Sequence, residues 1–266
     1  MKMTAVTILF LLLAAPLAGA SPQRIVSGIP SATEMLFALG LGDQVVGVTT
    51  NCNYPPEAQN KPKVGGFTLN LERVVALKPD LVVLQADAQP REIERCRKMK
   101  LPVLALEARS IDGVIVALRQ LGNATGRDRA AAELIGTMHR RLSAVTPRLW
   151  GLQLVLQRPR VLAVVGWEPL IVAGGGTFID DILRRAGAEN IAAGARGAYP
   201  QFSREQLLNI RPDYIIVPEG TVRRGELEGA GKWAVLYVDR DIISRPGPRV
   251  VEAVETIARF INEKKI

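Results

Sequence analysis

Apolar residues along this chain fall into short unbroken runs, separated by stretches in which they recur every three or four positions. That is the alternation expected of buried strands and amphipathic helices. Two segments carry the pattern in the same order: residues 70–84 read NLERVVALKPDLVVL and residues 203–217 read SREQLLNIRPDYIIV. At an offset of 133 positions they share a capping residue (Asn70, Ser203), a glutamate (Glu72, Glu205), paired apolar positions, a basic-Pro-Asp turn and an apolar run. Each predicts a short helix, a turn and a buried strand. Asn70 or Ser203 satisfies the free N–H groups at the helix start, and Pro79 or Pro212 bars the preceding residue from helical geometry. A repeat of this kind implies two lobes of like construction, with both glutamates in the first turn of equivalent helices.

Taken in order, the pattern predicts a strand over 24–27, a helix from about 30 to 39 capped by Ser31 or Thr33, and a strand over 44–48. A turn-rich loop over 49–58 and the pair Gly65 and Gly66 follow. After the first copy of the repeat come a helix over 91–99, a strand over 103–106 and a helix over 111–121. This alternation of β and α argues for a mostly parallel sheet covered by helices. Residues 128–145 form one long helical pattern, with Leu134, Ile135, Met138, Leu142 and Val145 on one face. About twenty helical residues span roughly 30 Å, enough to cross from one lobe to the next; an amphipathic helix within one lobe is the plainer alternative. The second lobe opens with a strand over 160–165, continues through Gly174, Gly175 and Gly176 to a helix over 178–186, and closes with a strand over 235–238 and a helix over 249–261. The organisation is an export signal over 1–20, a lobe over 21–124, a helix and linker over 125–158 and a second lobe over 159–266.

The export signal rests on Lys2, the apolar stretch 7–13 and small residues at Ala18 and Ala20, which set cleavage after Ala20. With Pro16 and Gly19 inside it, the segment is too short to span a ~30 Å hydrocarbon core. Ser21 follows the cut, so no cysteine is there to carry a lipid, and the mature chain is expected free in a periplasm. Without Lys2 the chain carries 33 Lys and Arg against 26 Asp and Glu, a net charge of +7. The basic residues are scattered and not interleaved with aromatics, which argues against nucleic acid. Cys52 and Cys96 are the two cysteines. In an oxidising compartment they either pair or remain as two small buried thiols, and spacing does not decide between these.

Enzyme signatures are absent: there is no nucleophile elbow and no phosphate-binding loop, and the glycine triplet lacks the dinucleotide-binding spacing. The sole histidine, His139, lies on the long helix among basic residues, so no multi-histidine metal site is expected. No catalytic residue, metal ligand or cofactor is assigned.

Residues 71–83, the loop 53–58, Val64 to Phe67, and the stretch 199–208 (YPQFSREQLL) together resemble the periplasmic cobalamin-binding proteins of bacterial vitamin B12 ABC importers. The likeness runs over essentially the whole mature chain and places it in the wider class of siderophore, haem and cobalamin receptors. It implies an α/β fold of two Rossmann-like lobes joined by a single long bridging α-helix, with the ligand in the cleft between the lobes. It further implies a monomer that docks onto the importer's membrane subunits through one glutamate per lobe, and Glu72 and Glu205 match those positions. On the ligand side the resemblance points to the loop Pro30, Ser31 and Ala32 and to Phe67, Trp167 and Tyr199. Asn51 and Gln85 occupy positions where the best-known members place aromatics, and Val165 occupies another.

The expected function is capture of cobalamin or a related corrinoid for delivery to an ABC importer. A haem or ferric-siderophore receptor of the same class is the first alternative, and an exported two-lobed enzyme is the second.

Overall fold

A computed structural model describes residues 21–149, 158–228 and 231–264. The export signal and most of the expected linker, residues 150–157, lie outside the described residues. The first half runs β1 (Ile25–Ser27), α1 (Pro30–Ala38), β2 (Val45–Val48), a 3-10 turn (Pro56–Asn60), α2 (Leu71–Ala76), β3 (Leu81–Gln85), α3 (Pro90–Lys98), β4 (Val103–Leu106) and α4 (Ile111–Thr125). Its four strands are all parallel, in the order β2-β1-β3-β4. Helix α5 (Asp128–Leu149) follows. The second half runs β5 (Arg160–Gly166), β6 (Ile171–Val172), α6 (Phe178–Arg185), β7 (Glu189–Asn190), α7 (Arg204–Ile210), β8 (Tyr214–Pro218), β9 (Ala234–Val238), α8 (Arg240–Ser244) and α9 (Val250–Glu263). Strands β5, β8 and β9 are parallel. The other edge of β5 carries β7 in parallel at its start and β6 antiparallel at its end.

The two copies of the repeat superpose down to their hydrogen bonds. Asn70 accepts from the Arg73 N–H at 2.9 Å, and Ser203 accepts from Gln206 at 3.0 Å in a full capping box. Each helix ends on a basic residue in left-handed geometry, Lys78 at φ 45° and Arg211 at φ 46°. The following proline excludes right-handed helix there, and the turn takes the less common solution. The aspartate after the proline then ties the strand to its neighbour: Asp80 accepts from the Gln23 and Arg24 N–H groups at 2.8 and 2.9 Å, and Asp213 from Arg160 at 2.8 Å. The guanidinium of Arg24 donates to the Leu77 carbonyl at 2.8 and 2.9 Å, and that of Arg160 to Ile210 and Arg211 at 2.8 and 3.2 Å. Both arginines satisfy carbonyls that a helix end leaves open.

Alternation along the first sheet sends Ile25, Leu81 and Val83 to one face and Val26, Val82 and Leu84 to the other. The first face belongs to a hydrophobic cluster that continues through Leu36, Ile111 and Leu118 into Ile179, Ile182, Val250 and Val254 of the second half. The two halves therefore share one interior. Helix α5 feeds it with Ile135, Met138, Leu142 and Val145, packing against α4 on one side and α9 on the other. His139 lies on its exposed face.

One expectation needs correction, and one alternative left open is decided. Helix α1 is capped by neither Ser31 nor Thr33. Its N-cap is Ile29 with Pro30 at the first helical position, and the Thr33 hydroxyl instead donates to Ser27 Oγ at 2.8 Å. Cys52 and Cys96 are both free and buried. Cys52 belongs to the cluster on one face of the first sheet and Cys96 to the cluster on the other, so the sheet itself separates the thiols. Of the two alternatives, the buried thiols hold. Burial pushes the Cys96 thiol above its ordinary value, with the Glu92 charge adding to it.

Arg141 of α5 grips Glu255 of α9 through two bonds of 2.9 and 2.7 Å. The hydrogen bond from Arg141 holds the Glu255 carboxyl below its ordinary value, against burial, which would raise it. A depressed carboxylate contributes stability that is fully present above the ordinary glutamate value of about 4.3 and lost as pH falls through its folded value. Arg141→Met is therefore expected to lower stability at neutral pH and to flatten the acid limb of stability against pH, as measured by urea unfolding between about pH 3 and 7. Parallel curves for the variant and the parent would refute this.

Candidate functional site

In open sheets of parallel strands, ligands bind at the carboxyl ends of the strands, where connecting loops diverge. In the first half those ends lead into Gly28 and Pro30 after β1, the loop over 49–54 after β2, and Gln85 at the end of β3. In the second half they lead into Trp167 after β5, Glu219 after β8 and residues 239–245 after β9. Of the residues expected to face a ligand, Pro30, Asn51, Gln85 and Trp167 lie at these strand ends, whereas Phe67 lies on the loop before α2 and Tyr199 on the loop before α7. Phe67 and Tyr199 are 61% and 56% exposed, large for aromatics in a folded chain. Trp167, Gln85 and Pro30 are half-buried and Asn51 is exposed. Ser31 and Ala32 are buried in the first turn of α1, so of that tripeptide only Pro30 offers surface.

The exposed aromatics sit on loops that are tied down from behind. Buried Gln89, the N-cap of α3, donates to the carbonyls of Gly28 at 2.9 Å and Phe67 at 3.2 Å and accepts from the Gln85 N–H at 3.2 Å. One amide side chain thus fixes the loops that follow β1 and β3 and the loop that carries Phe67. Glu92, one turn on, accepts from the Leu69 N–H at 3.0 Å and is held by Arg95 at 2.9 Å. Gly65 makes the tight entry to this loop at φ 116°, where a Cβ would meet the Thr68 carbonyl at 2.6 Å.

In the second half the glycine triplet plays the corresponding part. A Cβ on Gly174 would lie 2.6 Å from the Gly197 carbonyl, and one on Gly175 would run into the Ala193 carbonyl. These glycines let the 193–200 loop lie flat against β6. Hydrogen bonds from Val172 to Pro200, Gly174 to Ala198 and Phe202 to Leu170 fasten it there, around Tyr199. Asn190 and Asp180, both buried, lock the triplet by bonds to the Ala173 carbonyl and the Gly176 N–H. Although Tyr199 is more than half exposed, partial desolvation raises its phenol above the ordinary value. Trp167 carries the Arg204 guanidinium 5.1 Å above its ring centre, and Arg204 also pairs with Glu168 at 3.2 Å.

Between the halves lies a cluster that the sequence pattern did not single out. Glu34 of α1, almost fully buried, is gripped by Arg249 at 2.7 and 2.9 Å and by Arg245 at 3.1 Å. Arg245 also donates to the Asn53 side chain at 2.7 Å and to the Asn51 carbonyl at 3.2 Å, while Asn53 donates to Asp241 at 2.8 Å. The Tyr54 ring lies 3.8 Å from the Arg249 guanidinium. Burial alone would lower the Arg249 pKa, but the hydrogen bond and charge of Glu34 hold it above the ordinary arginine value. The loop bearing Asn51 is thereby fixed to the second half. Residues more than two hundred positions apart meet here, a pairing that no local pattern signals.

Glu72 and Glu205 occupy equivalent exposed positions in the first turns of α2 and α7. Among the described residues neither carboxylate makes an ion pair or hydrogen bond. No group of three His, Cys, Asp or Glu that could hold a metal ion occurs among the described residues, and none of their helices is long and apolar enough to cross a membrane. The arrangement presents aromatic and polar surface on fixed loops, which is the chemistry of binding.

A family model described as periplasmic binding protein matches residues 25–260. The vitamin B12-binding protein of Pectobacterium atrosepticum is 32% identical over 266 residues, spanning 93% of this chain and 91% of its own. Among solved structures, the periplasmic vitamin B12 binding protein BtuF of Vibrio cholerae aligns at a TM-score of 0.80 with 25% identity, covering 93% of this chain and 100% of that one. A periplasmic heme binding protein from Pseudomonas aeruginosa aligns at 0.79 with 25% identity, covering 91% and 94%.

Proposed function

We propose, because this chain belongs to the periplasmic binding protein family, that it captures cobalamin or a related corrinoid in the periplasm and delivers it to an ABC importer. The observation that carries this reading is the pair of exposed aromatics, Phe67 and Tyr199, one on a fixed loop of each half. An apolar ring left in water on a loop held by buried polar groups is costly to keep exposed and already in place for stacking on a large flat ligand. The naming of relatives for vitamin B12 supports a corrinoid over other macrocycles. The export signal over 1–20 delivers the chain, as a monomer, to the compartment where it works. The lobes are 21–124 and 159–266, and α5 with the segment after it bridges them.

The carrier performs no reaction. Its lobes move little on binding, since α5 packs on both halves and Glu34 is shared between them. Glu72 and Glu205 meet basic residues on the importer's two membrane subunits.

Calorimetric titration with cyanocobalamin, haem and a ferric siderophore tests the ligand. Micromolar or tighter binding of the corrinoid is expected, with Phe67→Ala combined with Tyr199→Ala weakening it by roughly ten- to a hundredfold, the loss of two stacking faces at about 0.5–1.5 kcal/mol each beyond their buried area. Binding of haem alone would move the assignment to the haem receptors of the same class.

A further inference from the structure

Seven large apolar side chains are exposed among the described residues: Tyr54, Phe67, Val75, Met99, Val116, Tyr199 and Leu208. Val75 and Leu208 stand at the repeat's own offset of 133 positions, and each lies three residues after one of the two unpartnered glutamates. Residues three apart on a helix share a face, so α2 presents Glu72 beside Val75 and α7 presents Glu205 beside Leu208. The residues just before them, Val74 and Leu207, are buried, which fixes how both helices are rolled. Neither Val75 nor Leu208 is needed for the core, because the neighbouring residue already fills that role in both copies. Leu208 also borders a cavity of about 490 Å³ whose lining mixes Pro212 and Trp233 with the charged Arg211, Asp213 and Lys232.

We infer that each half docks through a paired contact, a carboxylate and an apolar side chain one helical turn on, against a partner with a basic residue beside an apolar patch, presented twice by two-fold symmetry. The inference rests on the proposed importer docking and adds to it the apolar half of the contact. The occupant is the periplasmic surface of the importer's membrane dimer. Two equivalent constellations on one chain match two equivalent sites on a symmetric partner, and two acidic contacts on an exported chain of net charge +7 mark a specific complement. The carboxylates set encounter and orientation, and the apolar contacts hold the complex once formed.

The test measures binding of the full exported chain to the source cell's own importer, isolated on immobilised parent protein and reconstituted in nanodiscs, by surface plasmon resonance at low and high salt. Val75→Thr with Leu208→Gln is expected to raise Kd at least tenfold through faster dissociation, with thermal stability, corrinoid affinity and the salt dependence of association unchanged. Glu72→Gln with Glu205→Gln is expected to slow association and to remove most of its salt dependence. If the apolar pair binds within twofold of the parent while the glutamine pair is impaired, the apolar half is overturned and charge docking stands. If the apolar pair is impaired while the glutamine pair binds like the parent, the apolar contact stands and charge docking fails. Parent-like binding of both variants, or no retention of the importer by the parent, overturns both.

Discussion

Reversing both acidic contacts, Glu72→Arg together with Glu205→Arg, is expected to abolish stimulation of the importer in reconstituted vesicles while leaving corrinoid affinity within a few-fold of the parent. Both side chains are exposed and, among the described residues, unpartnered, so reversal breaks no bond inside the molecule. Each sits in a helix first turn, where an arginine costs about 0.3–1 kcal/mol against the dipole, too little to unfold either half. Against a basic partner the same change turns attraction into repulsion at both contacts at once. Either single reversal should retain a fraction of the activity, recovered least at low salt, where repulsion is least screened. Vesicles that take up ligand at the parent rate with the double variant would refute the docking role.

The second large effect concerns stability. Glu34→Ala is expected to destabilise the protein by about 3–5 kcal/mol, the cost of removing one member of a buried ionic cluster and leaving its partners charged. Arg245 and Arg249 have side chains only 14% and 15% exposed, and the carboxylate they share is 2% exposed. Among the described residues Arg249 has no other acid in an ion pair, whereas Arg245 also holds Asp241 at 2.9 Å. For a chain of this size the loss corresponds to a fall in Tm on the order of 10 °C. Arg245 keeps Asp241 at 2.9 Å but loses the carboxylate that ties it to α1, so the β2 loop should show faster amide exchange than the remainder of the first half. A change in Tm below about 2 °C, the equivalent of under 1 kcal/mol, would mean that the cluster carries no net stability.

Much of the architecture was legible because the strands and helices are long enough for their periods to show. The strand over 103–106 and the starts of α4, α5 and α6 fall where the pattern puts them. The repeat was legible because its side chains do chemical work that few residue types can do, such as Asn70 and Ser203 at helix starts and Asp80 and Asp213 at strand starts. Strands β6 and β7 were not legible, since two residues have no period, nor was α8, a single turn held by Asp239 accepting from the Asp241 and Ile242 N–H groups. Ile29 at the α1 N-cap broke the expectation because proline at the first helical position leaves one fewer N–H to satisfy.

Of the candidate site, the sequence offers the loop residues but not their supports. Phe67 and Tyr199 stand out on loops, yet what holds them does not. Gln89 reads as an ordinary polar residue before a helix, and its three backbone partners come from segments as far as 61 positions away. Glu34 reads as an ordinary acid within a short helix. That it is instead the buried centre of a contact with α8 and α9 depends on two arginines near the far end of the chain.

The hydrophobic cluster shared by both halves, running from Leu36 to Val254, bears on how cargo leaves. Swinging the halves apart would tear that cluster and wet its side chains, at a cost far above thermal energy. The proposed carrier therefore has no spontaneous way to let go by hinging. Cargo that enters without lobe motion also leaves without it, so the rate of unloading is set by the contacts of the loops at the mouth. Loosening those loops, rather than swinging the halves, is what would speed it.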